Sequence, residues 1–210
     1  MPIRVLLADD HILVRQALKS LLEREKLQVI AEASDGQEVV ALAEAHHPDI
    51  AVIDISMPIL NGIDAARELG RSCPKTKTIL LTQHEEDQYI REALEAGVKG
   101  YVLKNQVASD LVHAIQQVSR GQFYLSPGVS RAVMEAYRTK SDSPADPLTA
   151  RERQVLQLIA EGKSTRDAAS LLGISVKTAE SHRMRLMQKL DIHETASLVR
   201  YAVRRGLVQP

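Results

Sequence analysis

The sequence predicts a doubly wound α/β domain over residues 1–122, a connecting stretch over 123–147 and a small all-helical domain over 148–210. Three observations carry this. Short apolar runs alternate with helical patterns through the first 122 residues, the signature of a parallel sheet covered on both faces. The alternation stops where Ser126-Pro127, Ser143-Pro144 and Asp146-Pro147 gather, which are turn and linker signals. The last 63 residues then carry helix caps and helical spacing with no strand pattern.

The apolar runs are Val5–Ala8, Val29–Ala31, Ile50–Ile53, Ile79–Leu81 and Tyr101–Leu103. Strands buried on both faces read as continuous apolar runs rather than alternating ones. After the first run, Val14, Leu18, Leu21 and Leu22 fall at helical spacing. Right-handed crossovers then wind the helices onto both faces. In the connecting stretch, a helix is expected over 129–138. In the last segment, Thr149-Ala-Arg-Glu152 fits a capping box and Ser164-Thr-Arg-Asp167 is a close variant. Gly162 and Gly173 stand where the preceding helices should end. Helices are predicted near 150–161, 165–172, 176–189 and 195–205, and the short 173–175 loop suits the turn of a helix-turn-helix.

Charge divides the chain the same way. The 27 Lys/Arg and 27 Asp/Glu cancel overall. Residues 1–122 nevertheless hold 13 basic against 18 acidic residues, and residues 148–210 hold 11 against 6. An acidic front and a basic back imply different partners, and the basic block fits nucleic acid. Aromatics are only 3% of residues and Trp is absent, which argues against stacking on single strands. Cys73 is the only cysteine, so no intrachain disulfide forms, in keeping with a reducing cytosol. No apolar run approaches a membrane span and the N-terminus lacks a signal-peptide core. A cytoplasmic protein without a membrane partner is expected.

In an open parallel sheet, ligands bind at the carboxyl ends of the strands. There the sequence sets Asp9 and Asp10 after the first strand, Asp54 after the third, Thr82 after the fourth and Lys104 after the fifth. Three carboxylates together repel, so the site needs a cation, and oxygen ligands favour Mg²⁺. A carboxylate beside such an ion can attack phosphorus. The ion and a lysine can neutralise the transferring phosphoryl oxygens, and the Thr82 hydroxyl can donate to the phosphoryl group once attached.

Leu-Ala-Asp9-Asp10-His, Val-Ile-Asp54-Ile-Ser-Met-Pro58, Asn61-Gly62, Leu-Leu-Thr82 and Gly-Tyr101-Val-Leu-Lys104 resemble the receiver domain of bacterial response regulators. The resemblance implies strand order 2-1-3-4-5 and an Asp54 that accepts a phosphoryl group from a sensor histidine kinase. It implies Mg²⁺ on Asp10, Asp54 and the Ser56 backbone carbonyl, with Asp9 acting through water. Lys104 would contact the phosphoryl group, and Thr82 and Tyr101 would form the switch pair. Two departures stand out. Gln83 follows Thr82 where many receivers have a small residue, and is expected to crowd the pocket and slow phosphoryl gain or loss. Asn105 follows Lys104 where many have proline, so a trans bond is expected there.

On a helical wheel, Val176, Ala179, Leu186, Met187 and Leu190 share the core side of the third C-terminal helix. Lys177, Glu180, Ser181, Met184, Arg185 and Gln188 face outward, towards a major groove wide enough for one helix. Lys177, Thr178, His182, Arg185 and Lys189 suit phosphates on the flanks. Arg183 falls mid-way on the apolar face, and a structural ion pair with Glu152 is expected. Glu180 repels phosphate but can accept from a cytosine amino group or exclude other sequences.

Leu148-Thr-Ala-Arg-Glu-Arg-Gln-Val-Leu, Ile159-Ala-Glu-Gly-Lys-Ser164, Leu172-Gly-Ile-Ser175-Val-Lys-Thr178, Ser181-His-Arg183 and Lys189-Leu190 closely resemble the LuxR-type helix-turn-helix. Ala168 and Ala179 are smaller than the usual aliphatics there. Nearly end to end, the chain resembles the NarL/FixJ subfamily of response regulators. The resemblance implies double-stranded DNA as partner and a homodimer when active. The last helix would pair subunits, with Leu198, Val199, Tyr201, Ala202 and Val203 as candidates, some of which must fill the domain's own core.

Three rivals remain at this point. Aspartyl-phosphate hydrolases also use a strand-end Asp with Mg²⁺, but carry a second Asp two residues on, where Ser56 stands. A lasting aspartyl phosphate is therefore expected rather than a turnover enzyme. A DNA binder regulated only by partner proteins would not need the acidic pocket. RNA offers a helix-turn-helix no accessible major groove.

Overall fold

The computed structural model describes residues 2–83, 87–127, 129 and 147–208. The chain divides into two compact units, one holding the sheet and one the last four helices. The helix expected over 129–138 lies outside the described residues.

The first unit runs β1 (Arg4–Ala8), α1 (Ile12–Arg24), β2 (Gln28–Ala33), α2 (Gly36–His46), β3 (Ile50–Asp54), α3 (Gly62–Ser72), β4 (Lys77–Thr82), α4 (Asp87–Glu95), β5 (Gly100–Leu103), a 3₁₀ turn (Lys104–Gln106), α5 (Val107–Ser119) and β6 (Tyr124–Leu125). Every strand pairing is parallel, in the order β2-β1-β3-β4-β5-β6. The five expected strands take the expected order, and a sixth is added. Val5, Leu7, Ile50, Val52, Ile79, Leu81 and Val102 point to one face, against Leu18 and Leu22 of α1 and Leu111, Ala114, Ile115 and Val118 of α5. Helices α2 and α3 pack on the sheet's other side. Burial of each such aliphatic side chain contributes about 1.5–3 kcal/mol.

The sixth strand carries the sheet past residue 122, where the sequence alone ends the domain. Tyr124 N–H donates to Lys99 O at 3.0 Å and Ser126 N–H to Tyr101 O at 3.0 Å. The fully buried Ser126 hydroxyl accepts from Leu103 N–H at 3.2 Å and donates to Asp110 Oδ2 at 2.9 Å. Two residues are too short a run for a periodicity signal; backbone pairing and one serine hold them. Peptide bonds among the described residues are all trans, Lys104–Asn105 included.

The second unit is α6 (Ala150–Ala160), α7 (Thr165–Leu171), α8 (Val176–Leu190) and α9 (Thr195–Arg204), each within two residues of expectation. Both capping boxes form, Thr149 with Glu152 and Ser164 with Asp167. Ser175 caps α8 by accepting from Thr178 N–H at 3.1 Å. Gly173 turns the chain between α7 and α8 at φ +62°, a conformation in which a side chain is strained. Leu148, Val155, Leu156, Ile159, Leu186, Leu198 and Ala202 form the core, with Met187, Leu190 and Tyr201 packed at its edge. Val176, assigned by the wheel to the core side, is 41% exposed. It is the first residue of α8. No helix among the described residues is long and apolar enough to cross a membrane.

Candidate functional site

Parallel register brings the predicted residues of the first unit to one sheet edge. Ala8 pairs with Ile53, Asp54 with Leu81 and Thr82 with Leu103, so Asp9, Asp54, Thr82 and Lys104 emerge side by side. Asp9 is fully buried, and Asp54 and Thr82 are almost so, while Asp10 is exposed. Lys104 Nζ lies 2.9 Å from Asp9 Oδ2 and 2.8 Å from Asp54 Oδ2. The contact with Asp54 Oδ2 is a close ion pair between a nearly buried carboxylate and the ammonium. Tyr101 is buried, its ring already turned inside.

Gly62 shapes the edge. Its N–H donates to Ile55 O at 2.9 Å, and a Cβ there would stand 2.1 Å from Asp54 O. Only glycine lets the start of α3 press so closely on the strand end that carries Asp54. Asn61 caps α3 by accepting from Asp64 N–H at 2.9 Å.

One ammonium faces three carboxylates. Burial pushes the Asp54 carboxyl above its ordinary value; the Lys104 charge opposes that, Asp9 adds to it and the Ser56 N–H opposes it. Burial alone would depress the Lys104 ammonium, but Asp54 and then Asp9 outweigh it and hold it raised. The pocket is therefore short of positive charge. Ligand atoms of Asp9, Asp10, His11 and Asp54 lie within 4.8 Å of one another. Three carboxylates gathered against one ammonium, a mainly oxygen ligand set, fit a divalent cation of the Mg²⁺ class.

Sequence reasoning left His11 without a role. Its backbone N–H donates to Asp9 Oδ1 at 2.8 Å, and its Nδ1 lies 2.8 Å from Asp10 Oδ1. The signal was the adjacency in Asp9-Asp10-His11, since an Asp side chain commonly bonds the backbone two residues on. Arg15 was missed too; it donates from α1 to the Asp9 carbonyl.

In the second unit, Lys177, Thr178, Glu180, Met184, Arg185 and Gln188 are exposed on α8, and Ser181 and His182 are half-buried. The Ser181 hydroxyl donates back to Lys177 O at 3.0 Å. The expected Arg183–Glu152 pair does not form. Arg183 donates to Thr165 Oγ1 at 2.9 Å and Thr195 Oγ1 at 3.1 Å, tying α8 to the first residues of α7 and α9. Glu152 pairs instead with Lys189 Nζ at 2.6 Å. Two cations on one helix competed for one carboxylate, and the wheel could not tell which reaches it. Leu198 and Ala202 are corrected as well: both are fully buried in the domain's own core and have no surface to offer a second subunit. Val199 is half-buried.

An α/β domain with a strand-end carboxylate pocket, joined to a basic helix-turn-helix unit, defines a phosphoacceptor switch coupled to a DNA-binding module. Comparison with known proteins agrees. Residues 5–116 match the response regulator receiver domain, and residues 146–202 match the bacterial regulatory proteins of the luxR family. The transcriptional regulatory protein MctR of Rhizobium johnstonii is 39% identical over 98% of this chain and 95% of its own length. The response regulator UvrY of Escherichia coli O6:H1 is 36% identical over 98% and 95%. The structure of the two-component response regulator RcsB–DNA complex superposes with a TM-score of 0.61, at 27% identity over 96% of this chain and 98% of that one. The chain belongs to the NarL/FixJ subfamily of response regulators, and is a DNA-binding transcriptional regulator with a LuxR-type output domain.

Proposed function

We propose that Asp54 is the phosphoacceptor and that its phosphorylation by a sensor histidine kinase controls dimerisation and DNA binding. One observation carries this: a nearly buried Asp54 carboxylate faces Asp9, Asp10 and Lys104 across a pocket short of positive charge. An Asp54 oxygen attacks the phosphorus of a phosphohistidine; the P–O bond forms as the P–N bond breaks, and the imidazole nitrogen keeps the electron pair. Lys104 Nζ, beside Asp54 Oδ2, neutralises a phosphoryl oxygen. Asp10, Asp54 and the Ser56 carbonyl would hold Mg²⁺, with Asp9 acting through water. When bound, the ion supplies the charge that lets an anionic nucleophile meet an anionic phosphoryl group. Thr82 donates its hydroxyl to the attached group, while Tyr101, whose ring is already buried, stays inward. Ser56, two residues after the nucleophile, offers no acid to expel a leaving group, which favours a lasting aspartyl phosphate over turnover.

The output unit reads double-stranded DNA, in the cytoplasm, through α8. Lys177, Thr178, His182 and Arg185 meet phosphates, and Glu180, Ser181, Met184 and Gln188 meet base edges. Lys189 adds a phosphate contact only by leaving Glu152. Pairing of two copies through α9 falls to its outward residues, Val199 among them. The test is DNA binding on selected random duplexes by wild type and Asp54→Ala, each with and without acetyl phosphate and Mg²⁺. Gain of affinity and dimerisation by wild type alone is the expected result. Equal binding by both in every condition would end the reading of Asp54 as the switch.

A further inference from the structure

The exposed face of α8 holds one residue that charge does not explain. Met184 is 68% exposed, more than any other large hydrophobic side chain described in the second unit. The core beneath α8 is filled by Leu186 with Met187 and Leu190 beside it, so Met184 is not needed there. Its neighbours on the same face are exposed and polar: Glu180 one turn before, Gln188 one turn after, and Arg185 beside it. Single exposed apolar residues are common. This one stands mid-way along the face that the basic output unit turns to DNA, flanked by cations at Lys177 and Arg185.

The major groove limits what such a side chain can gain. Base edges there present hydrogen-bond donors and acceptors, and the C5-methyl of thymine is the only carbon group among them. A thioether neither donates nor accepts strongly, while its three rotatable bonds let it settle on a small apolar target. Glu180 is limited in the opposite way. A carboxylate only accepts, so it can pair only with the amino groups of cytosine or adenine. Residues four apart share one helix face and stand about 6 Å apart along the axis. That is about two base-pair steps at roughly 3.4 Å each.

We propose that Met184 is a specificity-determining residue that reads the C5-methyl of a thymine in each half-site, within about two base pairs of the amino group read by Glu180. The inference rests on the reading of α8 as the DNA-contacting helix. It makes the preferred half-site depend on a methyl group, which can be removed from DNA without altering any Watson–Crick pair.

The experiment uses the full chain, treated with acetyl phosphate and Mg²⁺, and a duplex selected from a random pool. Each thymine is replaced singly by deoxyuridine. Wild type should lose about fourfold in affinity at one thymine per half-site and little elsewhere, the worth of one buried methyl. Met184→Ala should bind more weakly and no longer distinguish thymine from uracil there, while Met184→Leu should keep the distinction. Circular dichroism checks that both variants are folded, as expected for an exposed position. If no single thymine-to-uracil change weakens wild type, or Met184→Ala shows the same loss, Met184 does not read a methyl. If wild type enriches no duplex at all, the DNA-contacting role of α8 fails and this inference with it.

Discussion

Adding one methyl at Gly62 should disable the phosphoacceptor pocket from outside it. The new Cβ would stand 2.1 Å from Asp54 O, 2.9 Å from Asp54 C and 3.0 Å from Ile55 Cα. All three are backbone atoms, so no side chain can swing away. Restoring ordinary contact needs a relative displacement of about 1 Å between α3 and the end of β3. That would stretch the 2.9 Å bond from Gly62 N–H to Ile55 O past hydrogen-bonding range. Overpacking of this kind costs about 1–3 kcal/mol, and the broken bond about 1 kcal/mol more. The chemical effect is larger, because a 1 Å misplacement of a reacting group costs on the order of 100-fold in rate. Gly70 is the control on the same helix. A Cβ there meets only Ala96 O at 3.8 Å, and replacing a helical glycine by alanine gains roughly 0.5–1 kcal/mol. Thermal unfolding followed by circular dichroism should fall for Gly62→Ala and rise for Gly70→Ala. Phosphorylation by acetyl phosphate, read as a mobility shift on a phosphate-affinity gel, should drop about 100-fold for Gly62→Ala alone. A Gly62→Ala protein that melts and phosphorylates like wild type would refute the close-approach argument.

Three further outcomes follow from the electrostatics. Burial raises the Asp54 carboxyl above its unfolded value, so stability falls as pH rises from the unfolded to the folded pKa, and the cost of the charged form is fully present above the folded one. Asp54→Asn should therefore melt higher than wild type at neutral pH, and the difference should shrink as pH falls through the raised folded pKa and vanish at the unfolded one; a lower melting point at pH 7 would contradict this. In Glu152, burial acts upward but the Lys189 and Thr149 hydrogen bonds prevail and leave the carboxyl lowered. Its stabilisation is present above the unfolded pKa and lost as pH falls through the folded one, so acid should destabilise the output unit, and Glu152→Gln should lose stability at pH 7 and flatten that acid limb in a pH series of melts. Arg183→Ala removes both threonine contacts and should lower stability by about 1–3 kcal/mol in urea titrations, whereas weaker DNA binding at unchanged stability would make Arg183 a DNA contact.

The sheet and its pocket were legible because both are written in runs. A buried parallel strand is a run of Val, Ile and Leu, and the residue after it stands at the sheet's edge. Asp9, Asp54, Thr82 and Lys104 could therefore be placed together from sequence alone. Strand β6 was not legible, since Tyr124–Leu125 carries no periodicity and is held by the buried Ser126 hydroxyl and the backbone of β5. Helix α9 was only half legible. An amphipathic helix shows which residues are apolar, but Leu198 and Ala202 entered the core because they fall on the side that meets α6. Sequence spacing alone cannot separate a core stripe from a pairing stripe.

The exchange of partners on α8 bears on how tightly the output unit holds DNA. From sequence, Lys177, Arg185 and Lys189 all count as cations free for phosphate. Lys189 Nζ sits 2.6 Å from a Glu152 carboxylate that is 3% exposed, and leaving it would strand that buried charge. Stranding a buried charge costs about 3–5 kcal/mol, more than one exposed phosphate contact returns. The free cations of α8 are then Lys177 and Arg185, with Arg183 tied to threonines. Each phosphate neutralised steepens the fall of log affinity with log salt by about 0.9. Lys177→Gln and Arg185→Gln should each make that slope shallower by about one per bound subunit. Lys189→Gln should leave the slope nearly unchanged while lowering the melting point of the output unit. A slope that drops by about one per bound subunit in Lys189→Gln, with stability intact, would return Lys189 to the DNA and leave Glu152 to be held by Thr149 alone.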